Sequence, residues 1–235
     1  MRLLTQSTHR LPYIAVVISL AAAVGVAAVA GCGSSSLISA GLPGGSATSD
    51  QVALGRSLVT SVGCTDCHSQ GKDDPSSTTW LAGFVGAAGG QGPGAFVVQG
   101  FNTYAANLTP DKTTGLGNFT DQQVFNALRY GLDPAVTPSV TITGNTPGQG
   151  NYPANPQYLA PPMPWVSFRQ MTDINLWAMV AYIKHGIKAV SNTVPPSQGP
   201  ADHWVSFYTS TDGTTDKLGP ITLPNYPASN EQYSP

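Results

Sequence analysis

The stretch Cys64-Thr65-Asp66-Cys67-His68 constrains this chain more than any other. Its pattern, C-x-x-C-H, is that of covalent c-type haem attachment. Two thiols three residues apart on one helical turn can each add to a vinyl group of the same porphyrin. The residue after the second thiol then faces the macrocycle. Here it is His68, whose imidazole can ligate the iron from the proximal side. A thioredoxin-like dithiol would need a βαβ setting that the sequence does not show. A structural zinc site would need two more ligands at short spacing, and Cys32, His185 and His203 are scattered. A disulfide or a chance C-x-x-C is the plain alternative. One covalently attached haem c is expected.

The chain has three cysteines, so with Cys64 and Cys67 on haem, Cys32 has no internal partner. The residues before it explain its presence. Arg2 and Arg10 give a positive start, residues 14–30 are apolar apart from Ser19, and Val29-Ala30-Gly31 leads into Cys32. Small residues before a cleavage point mark a secretory signal. Residues 1–31 look like a bacterial lipoprotein signal, cut before a cysteine that becomes lipidated. The rival is a retained membrane helix. Seventeen residues at about 1.5 Å each span about 25 Å, short of the ~30 Å hydrocarbon core, and a start at Leu11 closes the gap. Both readings place the folded part on the periplasmic or extracytoplasmic face of the bacterial cell envelope, held at a membrane. Residues 32–49, rich in Gly, Ser, Ala and Thr, read as a flexible tether.

A length of 235 residues allows one or two domains. Charged residues make up only 9% of the chain, beside 26 glycines and 20 prolines, which points to a compact core carrying much irregular loop. The net charge of −2 argues against nucleic acid as a partner. Loss of residues 1–31 removes Arg2 and Arg10 and leaves 8 basic against 12 acidic residues. An electron partner is therefore expected at a largely apolar haem rim, not at a basic face.

Residues 50–190 are expected to form an all-α domain with about three main helices. The first covers 50–61 with Ser49 as N-cap, and Val52, Gly55, Val59 and Val62 share a face. Gly55 weakens that helix by about 1 kcal/mol relative to Ala, which either is tolerated or serves close helix–helix contact. The second opens at Thr120, which with Gln123 forms a capping box, while Phe119 and Val124 form a hydrophobic staple. Gly131 ends it. Arg129 is read as an exposed surface residue, with a haem propionate as its alternative partner. The third covers 173–185 after the N-cap Thr172, with Ile174, Trp177, Ala178, Ala181 and Tyr182 on one face. Its natural partner is the first helix, placing Trp177 or Tyr182 near Gly55. The glycines between Gly83 and Gly94 lack the Lys-Ser/Thr ending of a phosphate-binding loop and read as a loop that approaches the haem. Residues 191–235 form a Pro-rich C-terminal extension, expected to be extended, with Trp204, Phe207 and Tyr208 docking part of it.

The prolines of 132–164 exclude helix from most of that stretch. They also hold rigid whatever ligand sits there. Met163, inside Pro161-Pro162-Met163-Pro164-Trp165, offers a soft thioether and is the expected sixth ligand. Met171 serves as a staple to Leu176, Met179 as filler, and His185 suits a helix C-terminus. His203 is the rival ligand.

Asn107-Leu108-Thr109-Pro110-Asp111, Gly115-Leu116-Gly117, Leu128-Arg129-Tyr130-Gly131, Pro162-Met163-Pro164-Trp165 and Leu176-Trp177-Ala178-Met179-Val180-Ala181-Tyr182-Ile183 occur in order after the haem motif. Together they resemble the mono-haem modules in cytochrome c subunits of membrane-bound alcohol, aldehyde and gluconate dehydrogenases, over about residues 50–190. The resemblance implies a class I cytochrome c fold and Met163 as distal ligand. Those subunits usually carry three such modules, and this chain has one C-x-x-C-H. Residues 133–160 and the C-terminal extension depart from the pattern.

Two functions follow as expectations. One is a membrane-tethered carrier passing single electrons between a dehydrogenase or quinol-oxidising complex and an acceptor such as a terminal oxidase, with no catalysis of its own. The other is a haem enzyme or gas sensor with a displaceable distal ligand.

Overall fold

A computed structural model describes residues 46–84, 96–199 and 203–209, together with 223, 225 and 227–232. Residues 1–31, Cys32, most of the 32–49 tether and the glycines from Gly86 to Gly94 lie outside the described residues. No helix among the described residues is long and apolar enough to cross a membrane.

Helix α1 (Ser49–Ser61) is capped by Thr48, not Ser49. Thr48 is extended, its Oγ1 accepts from Gln51 N at 3.2 Å, and Gln51 Oε1 accepts from Thr48 N at 3.0 Å. Glutamine stands three residues after Thr48, and that reciprocal pair fixes the start. Helix α2 (Cys64–His68) follows after one turn. Helix α3 (Asp121–Tyr130) has the expected Thr120–Gln123 capping box and ends at Gly131. A short α4 (Trp165–Phe168) precedes α5 (Asp173–Ala181), which runs into a π-helical turn, Tyr182–Gly186.

Helices α1 and α5 form the principal crossing. Gly55 is buried there, and a Cβ on it would overlap the Ala178 carbonyl and lie 2.8 Å from Tyr182 Cβ. The absent side chain is what lets the two backbones meet. Tyr182 takes the place expected near Gly55, while Trp177 stacks on Phe125 of α3 at 4.4 Å. Ile174, expected inside, is 41% exposed, whereas Leu176, Met179, Val180 and Ile183 are buried. Helix α5 packs against both α1 and α3, so its inner surface is wider than one stripe. An almost wholly apolar helix does not show by periodicity which residue is left outside.

The chain is helix-rich but not all-α. Strands β1 (Phe96–Val98) and β2 (Phe101–Thr103) pair antiparallel, with Val98 opposite Phe101. The turn residues Gln99 and Gly100 both have positive φ, 50° and 85°, which matches the strand twist of a tight hairpin. The C-terminal extension is not simply extended either. Helix α6 (His203–Thr209) buries Trp204 and Tyr208 to 1% and 2% exposure.

Two apolar clusters result. One joins Val59, Cys64, Leu81, Leu128, Leu176 and Val180. The other joins Leu132, Tyr152, Tyr158, Trp165, Trp204 and Tyr208. Met163 packs against both.

Candidate haem-binding site

Cys64, Cys67 and His68 share the single helical turn of α2. Both cysteines are free thiols, Cys64 buried and Cys67 partly exposed. Burial pushes the Cys64 thiol up to about 12 and raises Cys67 as well, with Asp66 adding to both. A pair held protonated in this way lacks the low-pKa thiolate that a redox dithiol needs. Among the described residues no group of three or more His, Cys, Asp or Glu converges to hold a metal ion.

His68 is held by the chain around it. Its Nδ1 donates to the Ala106 carbonyl at 2.6 Å, and burial lowers its pKa, favouring the neutral ring. With Nδ1 as donor, Nε2 keeps its lone pair free for a metal. The Ala106 carbonyl is itself fixed. Asn107 Oδ1 accepts from Thr109 N at 2.9 Å and from Thr109 Oγ1 at 2.8 Å, while its Nδ2 donates to Val190 O at 2.8 Å. On the other side, Gly83 N donates to His68 O at 2.8 Å and Phe84 N to Ala105 O at 2.8 Å. Gly83 has φ of 83°, and a Cβ there would come within 2.6 Å of the Ala106 backbone. The glycine expected to approach the haem thus approaches the carbonyl that orients His68.

The Met163 loop is tied to the same segment. Thr103 Oγ1 donates to Pro161 O at 2.6 Å, joining the strand that leads to Ala106 with the proline run that leads to Met163. Met163 itself is half-buried. Its rival His203 heads α6, and its side chain lies outside the described residues, as does Cys32.

No protein-family model matches the chain. It is 29% identical over 155 residues to the fructose dehydrogenase cytochrome subunit of Gluconobacter japonicus, covering 66% of this chain and 25% of that protein. It is 32% identical over 101 residues to the cytochrome c subunit of the quinone-type alcohol dehydrogenase of Komagataeibacter europaeus, covering 43% of this chain and 17% of that one. The gluconate 2-dehydrogenase cytochrome c subunit of Pantoea cypripedii is 31% identical over 97 residues, 41% of this chain and 18% of its own length. Its homologues are cytochrome c subunits of dehydrogenases. They are electron-transfer components, not catalytic subunits. The chain spans a quarter or less of the length of these relatives.

A cytochrome c subunit implies haem c, and the residues present fit one. The fit rests on the donor set: two free thiols on one turn and an adjacent neutral imidazole with Nδ1 engaged and Nε2 open. Sequence reasoning missed the second layer of this site. Ala106 and Thr103 act through a backbone oxygen and a hydroxyl, which leave no motif. The Asn107-x-Thr109 spacing is the signal that could have found the turn, because Asn side chains bond the backbone two residues on. Arg129, read as exposed, is 2% exposed. Its Nη1 donates to Arg169 O at 2.5 Å and its Nη2 pairs with Asp173, pinning α3 to α4 and α5. His185, assigned to a helix end, also bonds Asp121 Oδ2 through Nε2 at 2.7 Å.

Proposed function

We propose that this protein is a mono-haem c-type cytochrome of the class I arrangement that carries single electrons for a membrane-bound dehydrogenase on the periplasmic face of a bacterial cell. The carrying observation is the bond that ties His68 of the C-x-x-C-H turn to the Ala106 carbonyl, supported by relatives that are cytochrome subunits of dehydrogenases. Cys64 and Cys67 form thioethers by adding S–H across two vinyl groups. His68 Nε2 is the proximal ligand and Met163 Sδ the distal one. Haem c supplies a one-electron couple, and no bond of a substrate changes. The prolines at 161, 162 and 164 limit the motion of the Met163 loop, so a ligated thioether stays in place in both redox states.

The other end of the proposal is anchoring. Cys32, directly after Val29-Ala30-Gly31, is the lipidated residue, and residues 32–49 tether a domain spanning 50–190, with 191–235 as an extension of it. Several acyl chains hold a protein at a membrane where one is marginal. Donor and acceptor are then a dehydrogenase or quinol-oxidising complex on one side and a terminal oxidase on the other.

Wild type and two variants test the site. Wild type denatured in acid and organic solvent keeps its haem, since thioethers survive, and release of free haem refutes the attachment. Wild type binds carbon monoxide poorly, and Met163→Ala opens the site so that binding appears. Met163→His lowers the midpoint potential, since a thioether favours reduced iron more than imidazole does. Strong carbon monoxide binding by wild type favours the gas-binding reading. Identical behaviour of all three proteins removes Met163 as ligand.

A further inference from the structure

The second apolar cluster contains a buried cation with hydrogen-bond donors left over. Arg169, the residue that closes α4, is 6% exposed. Its Nε and Nη1 are buried and find no hydrogen-bond partner among the described residues, and Trp165 Nε1, one turn earlier, is buried with only the Tyr208 hydroxyl near it. The Arg169 guanidinium lies 5.8 Å from the Trp165 ring. Tyr152 and Tyr158 face it from the Pro-rich loop, and Tyr130 and Arg129 from α3. None of these carries a negative charge at neutral pH. Arg129, the other buried cation among the described residues, has its own carboxylate in Asp173. Arg56, Lys72, Lys112 and Lys188 are exposed, and the Lys184 ammonium is engaged by the carbonyls of Leu116 and Phe119.

A buried guanidinium stays charged, and leaving it and its donors unpaired in a low-dielectric setting is unfavourable. Such a site is kept when an anion completes it. The ligand that fits is a carboxylate, which accepts a charge-assisted N–H bond from an open guanidinium donor and a second from the indole. A haem brings two carboxylates. The element that presents the donors begins two residues after Met163, which packs against this same cluster. We propose that Arg169 and Trp165 form the receptor for a haem propionate, so that α4 and the turn before it hold both the distal thioether and the carboxylate. This rests on the haem reading above.

Arg129 is then a positioning residue. By donating to Arg169 O it fixes the end of α4 from which the guanidinium extends.

The test uses the full-length, haem-loaded protein with four changes: Arg169→Gln, Arg169→Lys, Trp165→Phe and, as an exposed control, Arg56→Gln. Covalent haem is checked first by denaturation. Its absence from wild type refutes the haem reading, not this receptor. With haem in place, the midpoint potential and the redox-difference infrared bands of the propionates are read. Arg169→Gln removes a fixed positive charge beside the haem, so the midpoint falls and the carboxylate bands move. Arg169→Lys restores most of the potential. Trp165→Phe keeps the ring in the core, removes only the Nε1 donor, and shifts the bands in the same direction by less. Arg56→Gln changes neither readout. If Arg169→Gln does not fold, Arg169→Lys and Trp165→Phe decide through the infrared bands. Propionate bands unchanged in the Arg169 and Trp165 variants overturn the proposal and leave Arg169 as a packing residue on Trp165.

Discussion

Gly55→Ala tests the crossing that carries the C-x-x-C-H turn. A methyl group at Gly55 overlaps the Ala178 carbonyl and lies 2.8 Å from Tyr182 Cβ. Carbon atoms rest about 3.5–4.0 Å apart, so α1 and α5 must separate by roughly 1 Å. Both neighbours are backbone or Cβ atoms, which cannot swing aside as a long side chain would. Overpacking of this kind costs about 1–3 kcal/mol, and the rigidity of the neighbours puts it at the upper end. Against it stands a gain of about 1 kcal/mol in helix propensity. The net loss is about 2 kcal/mol, or roughly 4–8 °C in Tm for a chain of this size. Separation also strains the Trp80 Nε1 to Tyr182 hydroxyl bond of 2.9 Å. Guanidinium unfolding of wild type, Gly55→Ala and Ala53→Gly reads this out. Ala53 is exposed on the same helix, so Ala53→Gly reports propensity alone and loses about 1 kcal/mol. A Gly55→Ala protein as stable as wild type refutes the close crossing.

Arg129→Met removes the side-chain donor to the Arg169 carbonyl and frees Asp173, which is 70% exposed and rehydrates. The expected loss is about 1–3 kcal/mol by chemical denaturation, and a neutral result removes Arg129 as the pin between α3, α4 and α5. Asp111 accepts from Thr114 Oγ1 and from the backbone of Thr114 and Thr113, which lowers its pKa. A carboxylate with a depressed folded pKa contributes stability above its unfolded pKa of about 3.9 and loses it as pH falls further. Thermal melts of wild type therefore drop below about pH 4 more steeply than those of Asp111→Asn, and parallel curves refute the role of this turn.

The sequence by itself determined what short-range chemistry can write. Cys64, Cys67 and His68 announce their site because one helical turn sets their spacing. Thr120, Gln123 and Gly131 mark the ends of α3 because caps are local hydrogen bonds. Gly55 pointed to a close crossing because a helix keeps a glycine at a cost. Tertiary structure decided the rest, where the partner is distant in sequence. Arg129 looked like a surface residue until Asp173 and the Arg169 carbonyl, some 40 residues on, arrived beside it. Ala106 orients His68 through a carbonyl that every residue carries, so only the fold selects it. The hairpin at Gln99-Gly100 rests on a turn whose first residue accepts positive φ without being glycine. Helix α6 is a seven-residue element in a polar tail, too short to hold itself in water. What makes it a helix is the apolar cluster that takes Trp204 and Tyr208: the aromatics of the tail pointed to docking, and only the fold supplies the surface they dock on.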